Sequence, residues 1–329
     1  MGAAISLAGA IAVGTLPALR ATEAAAPAPI AVPAWAYPGR GSEPVDSTAT
    51  AAVLRSVPGS TARFSQAQAG GDYFAPVDWH PETHPAMPPV VAHGRPPDLW
   101  ACAYCHLPDG GGRPENAAIA GLPAAYIEQQ IAAFRDGSRR SAFGPEYVPT
   151  RLMRGDATSA NAAEVAAAAN YFAGLRMPAK LKVVETDRIP AVRVQAFLYA
   201  PASSAATEAL GDRIIEVADD PERHELHDSG VGYVAYVPAG SIERGRKLAT
   251  SGPAGPATAC FICHGPALQG TPVAPPLAGH FATYTLRQLL AFRTGTRTGP
   301  ATLLMQPVVA RLTLDDMIAL AAFAAASPP

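Results

Sequence analysis

Apolar positions recur at helical spacing in two stretches far apart in the chain. In the first, Ile127, Ile131 and Phe134 lie on one face behind Pro123, which suits a first helical position, and Gly137 ends the run. In the second, Leu286, Leu289 and Leu290 share a face and Gly295 closes it. A terminal helix from Thr313, with Asp316 as its capping-box partner, presents Leu314, Met317, Ile318 and Ala321. Its counterpart is Asn161-Ala-Ala-Glu164 and the alanine-rich stretch to Leu175, and Ser241 is a candidate N-cap for a helix through Leu248. Between these lie four short extended segments: Lys182–Thr186, Val192–Tyr199, Arg213–Val217 and Tyr233–Val237. The pattern predicts a mainly α chain, two helical halves joined by an ordered linker with short β segments.

The halves are copies of each other. A shift of 158 residues lays Cys102-Ala-Tyr-Cys105-His106 on Cys260-Phe-Ile-Cys263-His264. The same shift lays Tyr126 on Tyr284, Gln130 on Gln288, Phe134-Arg135 on Phe292-Arg293 and Arg139 on Arg297, without an insertion. That period is too long for a solenoid and marks a duplicated domain. The expected boundaries are a leader at 1–26, a Pro/Ala-rich arm at 27–90, a first domain at 91–177, a linker at 178–240 and a second domain at 241–329.

Cys-x-x-Cys-His is the attachment site of a c-type haem. Each thiol adds across a haem vinyl group, and the adjacent histidine is held under the iron. Two copies consume all 4 cysteines, so two covalently bound haems are expected, with Cys102, Cys105, Cys260 and Cys263 as attachment points. His106 and His264 are then proximal iron ligands. Half of a zinc site and a dithiol redox pair are the competing readings. For the sixth position, Met153 lies 47 residues after His106 and Met305 lies 41 after His264, each just before its terminal helix. Methionine there favours Fe(II) and suits an electron carrier, while core filling is the plain alternative. His80, His84 and His93 are rival ligands for the first site, set against structural or exposed roles.

Charged residues make up 16% of the chain and the formal net charge is −2, which excludes a polybasic nucleic-acid surface. Proline, at 34 residues, is about twice its usual share. The arm has weak periodicity, yet Trp35, Tyr37 and Trp79 give it the means to pack on the first half. The apolar run Ala3–Leu19, then Arg20 and small residues, has the order of a secretory signal peptide without its basic start. An uncleaved N-terminal anchor with peripheral membrane association is the alternative. Haem attachment of this kind takes place outside the bacterial cytoplasm, so a periplasmic location is expected.

These features together resemble the two-domain, dihaem class I cytochromes c of the cytochrome c4 kind. Residues 260–325 carry the haem motif, Pro-x-Leu-Ala-Gly, the Tyr and Gln, Phe-Arg-x-Gly-x-Arg, the methionine and the final helix; residues 102–175 carry most of them. The resemblance implies electron transfer between redox partner proteins: a quinol-oxidising complex or dehydrogenase on one side, a terminal oxidase or reductase on the other. It implies that the carbonyl of Pro275 accepts the axial histidine's Nδ1 proton, where the first half has Ala117. Arg135, Arg139, Arg293 and Arg297 are candidate partners for haem propionates, or solvated helix ends. The first half also lacks a clear helix before its haem motif. That departure leaves an alternative: a haem enzyme, or the cytochrome subunit of a periplasmic dehydrogenase, with one haem open.

Overall fold

The computed structural model describes residues 1, 29–39, 52–145, 147–202 and 205–329. The leader expected over 1–26 lies outside the described residues except for Met1, as do 40–51 of the arm. Among the described residues, no helix is long and apolar enough to cross a membrane.

The arm is mostly irregular, with one antiparallel pair, β1 (Leu54–Arg55) and β2 (Phe64–Ser65), and a short helix α1 (Gln66–Gly71). Its aromatics do not all go to the first half. Tyr73 does, stacking on Trp100 at 3.8 Å. Trp79, 1% exposed, donates its indole N–H to the Leu226 carbonyl at 2.8 Å in the middle segment. Tyr37 packs between Phe143 and Tyr147 in a core shared with the second half.

The first half is built from α2 (Pro89–Ala92), α3 (Cys102–His106), α4 (Ala124–Arg135), α5 (Val148–Ser159) and α6 (Ala162–Ala173). Helix α4 packs on α5 and α6 around Leu122, Ile127, Ala169 and Phe172. Pro123 proves to be the N-cap of α4, a shift of one residue. Asn161 and Glu164 close a full capping box on α6. Helix α5 gives no periodic signal, because Pro149 and Gly155 interrupt a largely polar run.

The middle segment is more than a linker. It forms β3 (Leu181–Glu185), β4 (Arg188–Pro190), β5 (Val192–Gln195), β6 (Leu198–Pro201), β7 (Thr207–Ala209), β8 (Ile215–Ala218), α7 (Pro221–Glu225) and β9 (Tyr233–Val237). Five strands make one mixed sheet in the order β3-β9-β8-β6-β5, and β4 pairs with β7 apart from it. Because β3 and β9 are parallel neighbours, with Leu181 opposite Tyr233, the chain enters and leaves this unit side by side. The expected strand Val192–Tyr199 is a hairpin instead. Ala196 and Phe197 both take positive φ, 48° and 71°, as a tight two-residue turn requires.

The second half comprises α8 (Ser241–Ser251), α9 (Cys260–His264), α10 (Ala282–Arg293), α11 (Gln306–Val309) and α12 (Leu314–Ala326). Thr313 and Asp316 cap α12 as read from the sequence, whereas α8 starts after Gly240 at φ 79°, so Ser241 is its first residue and not its cap. Helices α8 and α12 cross closely at Gly245, where a Cβ would run into the Ala319 carbonyl and the Phe323 side chain. The first half has only the four-residue α2 in that place.

Two polar ties fix the sheet unit. Lys180 pairs with Asp109 of the first half at 2.7 Å. Glu216 on β8, 1% exposed, accepts from the backbone N–H of Ala282 at 2.7 Å and from Thr283, so a strand side chain caps α10. The mainly α expectation with short β segments describes the architecture.

Candidate functional site

The two Cys-x-x-Cys-His segments fold alike. Each forms a five-residue helix, and each histidine carbonyl then accepts from a glycine N–H: His106 from Gly112 at 3.0 Å, His264 from Gly270 at 2.9 Å. Both glycines have positive φ, 61° and 85°, and a Cβ would come within 2.5 Å of the Ala117 oxygen or 2.6 Å of the Pro276 nitrogen. This turn returns the following backbone to the histidine ring. His106 Nδ1 donates to the Ala117 carbonyl at 2.8 Å, and His264 Nδ1 donates to the Pro275 carbonyl at 2.7 Å. The bond that orients the imidazole therefore does not depend on proline. Burial pushes both imidazoles below their ordinary pKa, which keeps them neutral with Nε2 free to bind a metal.

In the first half, Cys102, Cys105, His106 and Met153 line one cavity of about 1300 Å³, part of it open to solvent. Ile119, Leu122, Ile127, Ile131 and Phe134 supply apolar walls. This lining fits a flat apolar macrocycle held by two thioethers and an imidazole. A reactive dithiol needs a depressed thiol pKa, but burial pushes Cys102 and Cys105 up to about 12 and Cys260 up to about 11. Among the described residues, no group of three or more His, Cys, Asp or Glu side chains is arranged to hold a metal ion. Neither the thiol redox pair nor the zinc site is favoured.

Met153 sits inside α5, whereas Met305 ends a turn at the N-cap of α11 and packs on the second half's core. The rival histidines lie elsewhere. His80 Nε2 meets Asp228 at 2.9 Å, His84 Nε2 meets Asp78 at 3.2 Å, and His93 is exposed. None of them lines the cavity.

The arginines divide. Arg135 donates to the carbonyls of Ala157 and Ala160, at 2.9 and 2.7 Å, and ties α4 to the end of α5. Arg293 is half-buried at the end of α10. Arg139 lines the first cavity, and it and Arg297 are buried between the halves. Arg139 donates to Tyr284 and Gln288 at 2.9 and 3.1 Å; Arg297 donates to Tyr126 and Gln130 at 3.0 and 2.8 Å.

Other contributors reach the first cavity from outside the first half, a placement no local pattern signals. Tyr37 comes from the arm, and Tyr284, Arg287, Gln288 and Ala291 come from the second half. Glu115 also lines it and is buried, 3.0 Å from Arg113 and 3.9 Å from His224 on α7. Burial raises the Glu115 pKa against the opposing pull of Arg113. Asp156, one helical turn after Met153, is pushed up to about 6 by burial.

Comparison with known proteins agrees with this chemistry. The family described as cytochrome c matches residues 242–325. The chain is 28% identical to the thiosulfate dehydrogenase electron acceptor of Thiomonas intermedia (strain K12) over 236 residues, covering 71% of this chain and 81% of that protein. It is 32% identical to cytochrome c4 of Stutzerimonas stutzeri over 139 residues, covering 38% of this chain and 66% of that one. It is 38% identical to cytochrome c-554(548) of Halomonas halodenitrificans over 65 residues, covering 20% of this chain and 78% of that one. With its histidine turns and apolar lining, the chain belongs to the cytochrome c family and, with covalently bound haem c, transfers electrons between redox partner proteins.

Proposed function

We propose that the chain is a tandem dihaem cytochrome of the cytochrome c4 kind, with its first haem domain at 91–177 and its second at 241–329. Bound haem supplies one-electron Fe(II)/Fe(III) exchange. Cys102 and Cys105, and Cys260 and Cys263, attach the two groups. His106 and His264 serve as proximal ligands, each oriented by the backbone carbonyl on its Nδ1. Met153 and Met305 serve as sixth ligands. Arg139 and Arg297 hold the two halves together, and Arg135 braces the helix that carries Met153. The chain is exported, by a leader over 1–26, to the periplasm where such attachment takes place.

The observation that carries this reading is the convergence of Cys102, Cys105, His106 and Met153 on one apolar cavity. Denaturing mass spectrometry tests it. The mature polypeptide should carry two haem masses and lack the leader, and a retained count of zero or one would end the dihaem assignment.

A second reading makes the chain the electron acceptor of a dehydrogenase that oxidises an inorganic sulfur compound. It rests on the similarity to a thiosulfate dehydrogenase electron acceptor over 71% of the chain. Such a dehydrogenase, fed thiosulfate, should reduce this protein stoichiometrically in stopped flow. If the first haem is open instead, rapid stoichiometric carbon monoxide binding by the reduced protein would reveal an enzyme.

A further inference from the structure

One polar group of side chains on the first cavity is built largely from parts outside the first half. Tyr37 comes from the arm, Arg287 from α10, and Tyr147 is the N-cap of α5, the helix that carries Met153. The arm is pinned where it delivers Tyr37. Tyr199 on β6 donates to the Trp35 carbonyl at 3.1 Å, and Arg287 donates to the Ala36 carbonyl at 3.2 Å. Ile30, Val32 and Trp35 pack on the core shared with the second half. Tyr37 then meets the Tyr147 ring edge-on at 5.1 Å.

These groups are buried without the partners that burial demands. The hydroxyls of Tyr37 and Tyr147, on residues 4% and 5% exposed, have no hydrogen-bond partner among the described residues. Burial pushes both phenols above their ordinary pKa, so each stays a protonated donor. Arg287, 6% exposed, bonds only the neutral carbonyls of Ala36 and Pro114 among the described residues, and its guanidinium lies 5.7 Å from the centre of the Tyr147 ring. A guanidinium carries five N–H donors, and a buried charge left unpaired is strongly destabilising.

Two donors and an unpaired cation on one cavity wall call for an anion with more than one acceptor oxygen. The charged neighbours are already committed. Arg139 is taken up by Gln130, Tyr284 and Gln288, and Glu115 has its own guanidinium in Arg113 at 3.0 Å. A haem offers such an anion. Its macrocycle matches the apolar walls, and its ionised groups are two carboxylates, which a guanidinium holds well. The second half has no such arrangement: a shift of 158 residues lays Gln129 on Arg287, and Gln129 is exposed.

We propose that Tyr37, Tyr147 and Arg287 form the subsite for a carboxylate of the first haem, so that the arm and the second half complete a site the first half cannot close alone. The inference rests on the dihaem reading. Neutralising that carboxylate removes negative charge that would otherwise stabilise Fe(III), so the subsite raises the potential of the first haem. The second haem, without a trans guanidinium, receives no such lift.

The test compares wild-type holoprotein with Tyr37→Phe, Arg287→Gln and Arg287→Lys by spectroelectrochemical titration and resonance Raman spectroscopy. The first haem is identified as the one whose midpoint Met153→Ala displaces. Arg287→Gln should weaken that haem's hold on an electron by about tenfold, which is about 59 mV for a one-electron couple. Tyr37→Phe, which removes a single oxygen atom, should shift it less and in the same direction. Arg287→Lys keeps the charge and should recover most of the loss. In Tyr37→Phe the propionate-bending band of one haem should move, while haem content and the second midpoint match wild type.

A first midpoint and a propionate band both unchanged in Tyr37→Phe overturn the proposal. So do equal shifts at both haems, which would mean general loosening, or a shift in Arg287→Lys as large as in Arg287→Gln. If peptide mapping finds no haem on Cys102 and Cys105, the dihaem reading fails and the subsite with it; haem present with Tyr37→Phe silent removes the subsite alone.

Discussion

Arg139 of the first half donates to the hydroxyl of Tyr284 in the second at 2.9 Å, and Arg297 returns the same bond to Tyr126 at 3.0 Å. Gln130 and Gln288 complete the exchange, and the backbone N–H groups of Arg140 and Thr298 cross to the carbonyls of Thr296 and Ser138. Each guanidinium also stacks over its own half's phenylalanine, Phe134 at 4.6 Å and Phe292 at 4.5 Å. Two equal units therefore meet about a pseudo-two-fold axis, as an isologous dimer would.

This clamp is predicted to be cooperative. Arg139→Gln should lower global stability by about 1–3 kcal/mol, the range for losing buried bonds to a charged donor. Combined with Arg297→Gln, the loss should depart from additivity by about 0.5–3 kcal/mol, because both arginines draw on the same tyrosines and glutamines. Urea unfolding of both singles and the double measures it, and strict additivity would count against a shared network.

Glu216 should matter more than its place in a connecting segment suggests. Glu216→Ala would leave the buried amides of Ala282 and Thr283 unpaired, costing about 2 kcal/mol. Glu216→Gln keeps an acceptor and should recover much of that. Burial raises the Glu216 pKa against the bonds from Thr283 and Ala282 and the nearby Arg287. A carboxyl raised on folding binds its proton more readily in the folded state. Its contribution is thus greatest at low pH and falls as pH climbs through the carboxylate range toward the raised value. The Gln variant should lack that slope in thermal unfolding from acid to neutral pH.

Much of this was legible because it is local. The apolar faces of α4 and α10 and the capping boxes at Asn161 and Thr313 follow from residues close together in the chain, whereas each histidine turn reaches a carbonyl eleven residues on, at Ala117 or Pro275. The arginines, tyrosines and glutamines of the clamp were visible as repeated positions. Their exchange across the axis was not, since spacing within a half says nothing about which half supplies the partner. Glu216 lies 66 residues from Ala282, and Tyr37 reaches the first cavity from the arm. Those contacts are made by the sheet topology, which no local pattern encodes.

His84 offers a pH-dependent tie between the arm and the first half. Its Nε2 meets Asp78 at 3.2 Å, and its Nδ1 lies 3.1 Å from the hydroxyl of Tyr171 on α6. The bond to Asp78 raises its pKa above the ordinary value, with burial opposing. A histidine raised on folding stabilises fully below its unfolded pKa, and that gain is lost as pH rises through the folded value. His84→Gln should therefore cost more stability at pH near 6 than near 9. Denaturant midpoints at the two pH values check this, and an equal cost at both would remove the Asp78 pair as its source.

The two methionines should differ in how firmly they are held. Met153 is inside a twelve-residue helix whose end is tied down by Arg135 through Ala157 and Ala160. Met305 follows a three-residue turn, Pro300–Thr302, and the exposed Leu303 and Leu304 give that stretch little buried area to hold it. Segments with few buried contacts open first when stability falls. As pH or temperature rises, the weak near-infrared-edge band of Met–Fe(III) coordination should thus fade in two steps, the earlier belonging to the second site. Met305→Ala should abolish the earlier step and leave the later one, and should let the reduced protein bind carbon monoxide at one site. Met153→Ala should do the reverse. If the step removed by Met305→Ala is the later one, the helix around Met153 confers no added hold, and burial at α5 is not what secures the ligand.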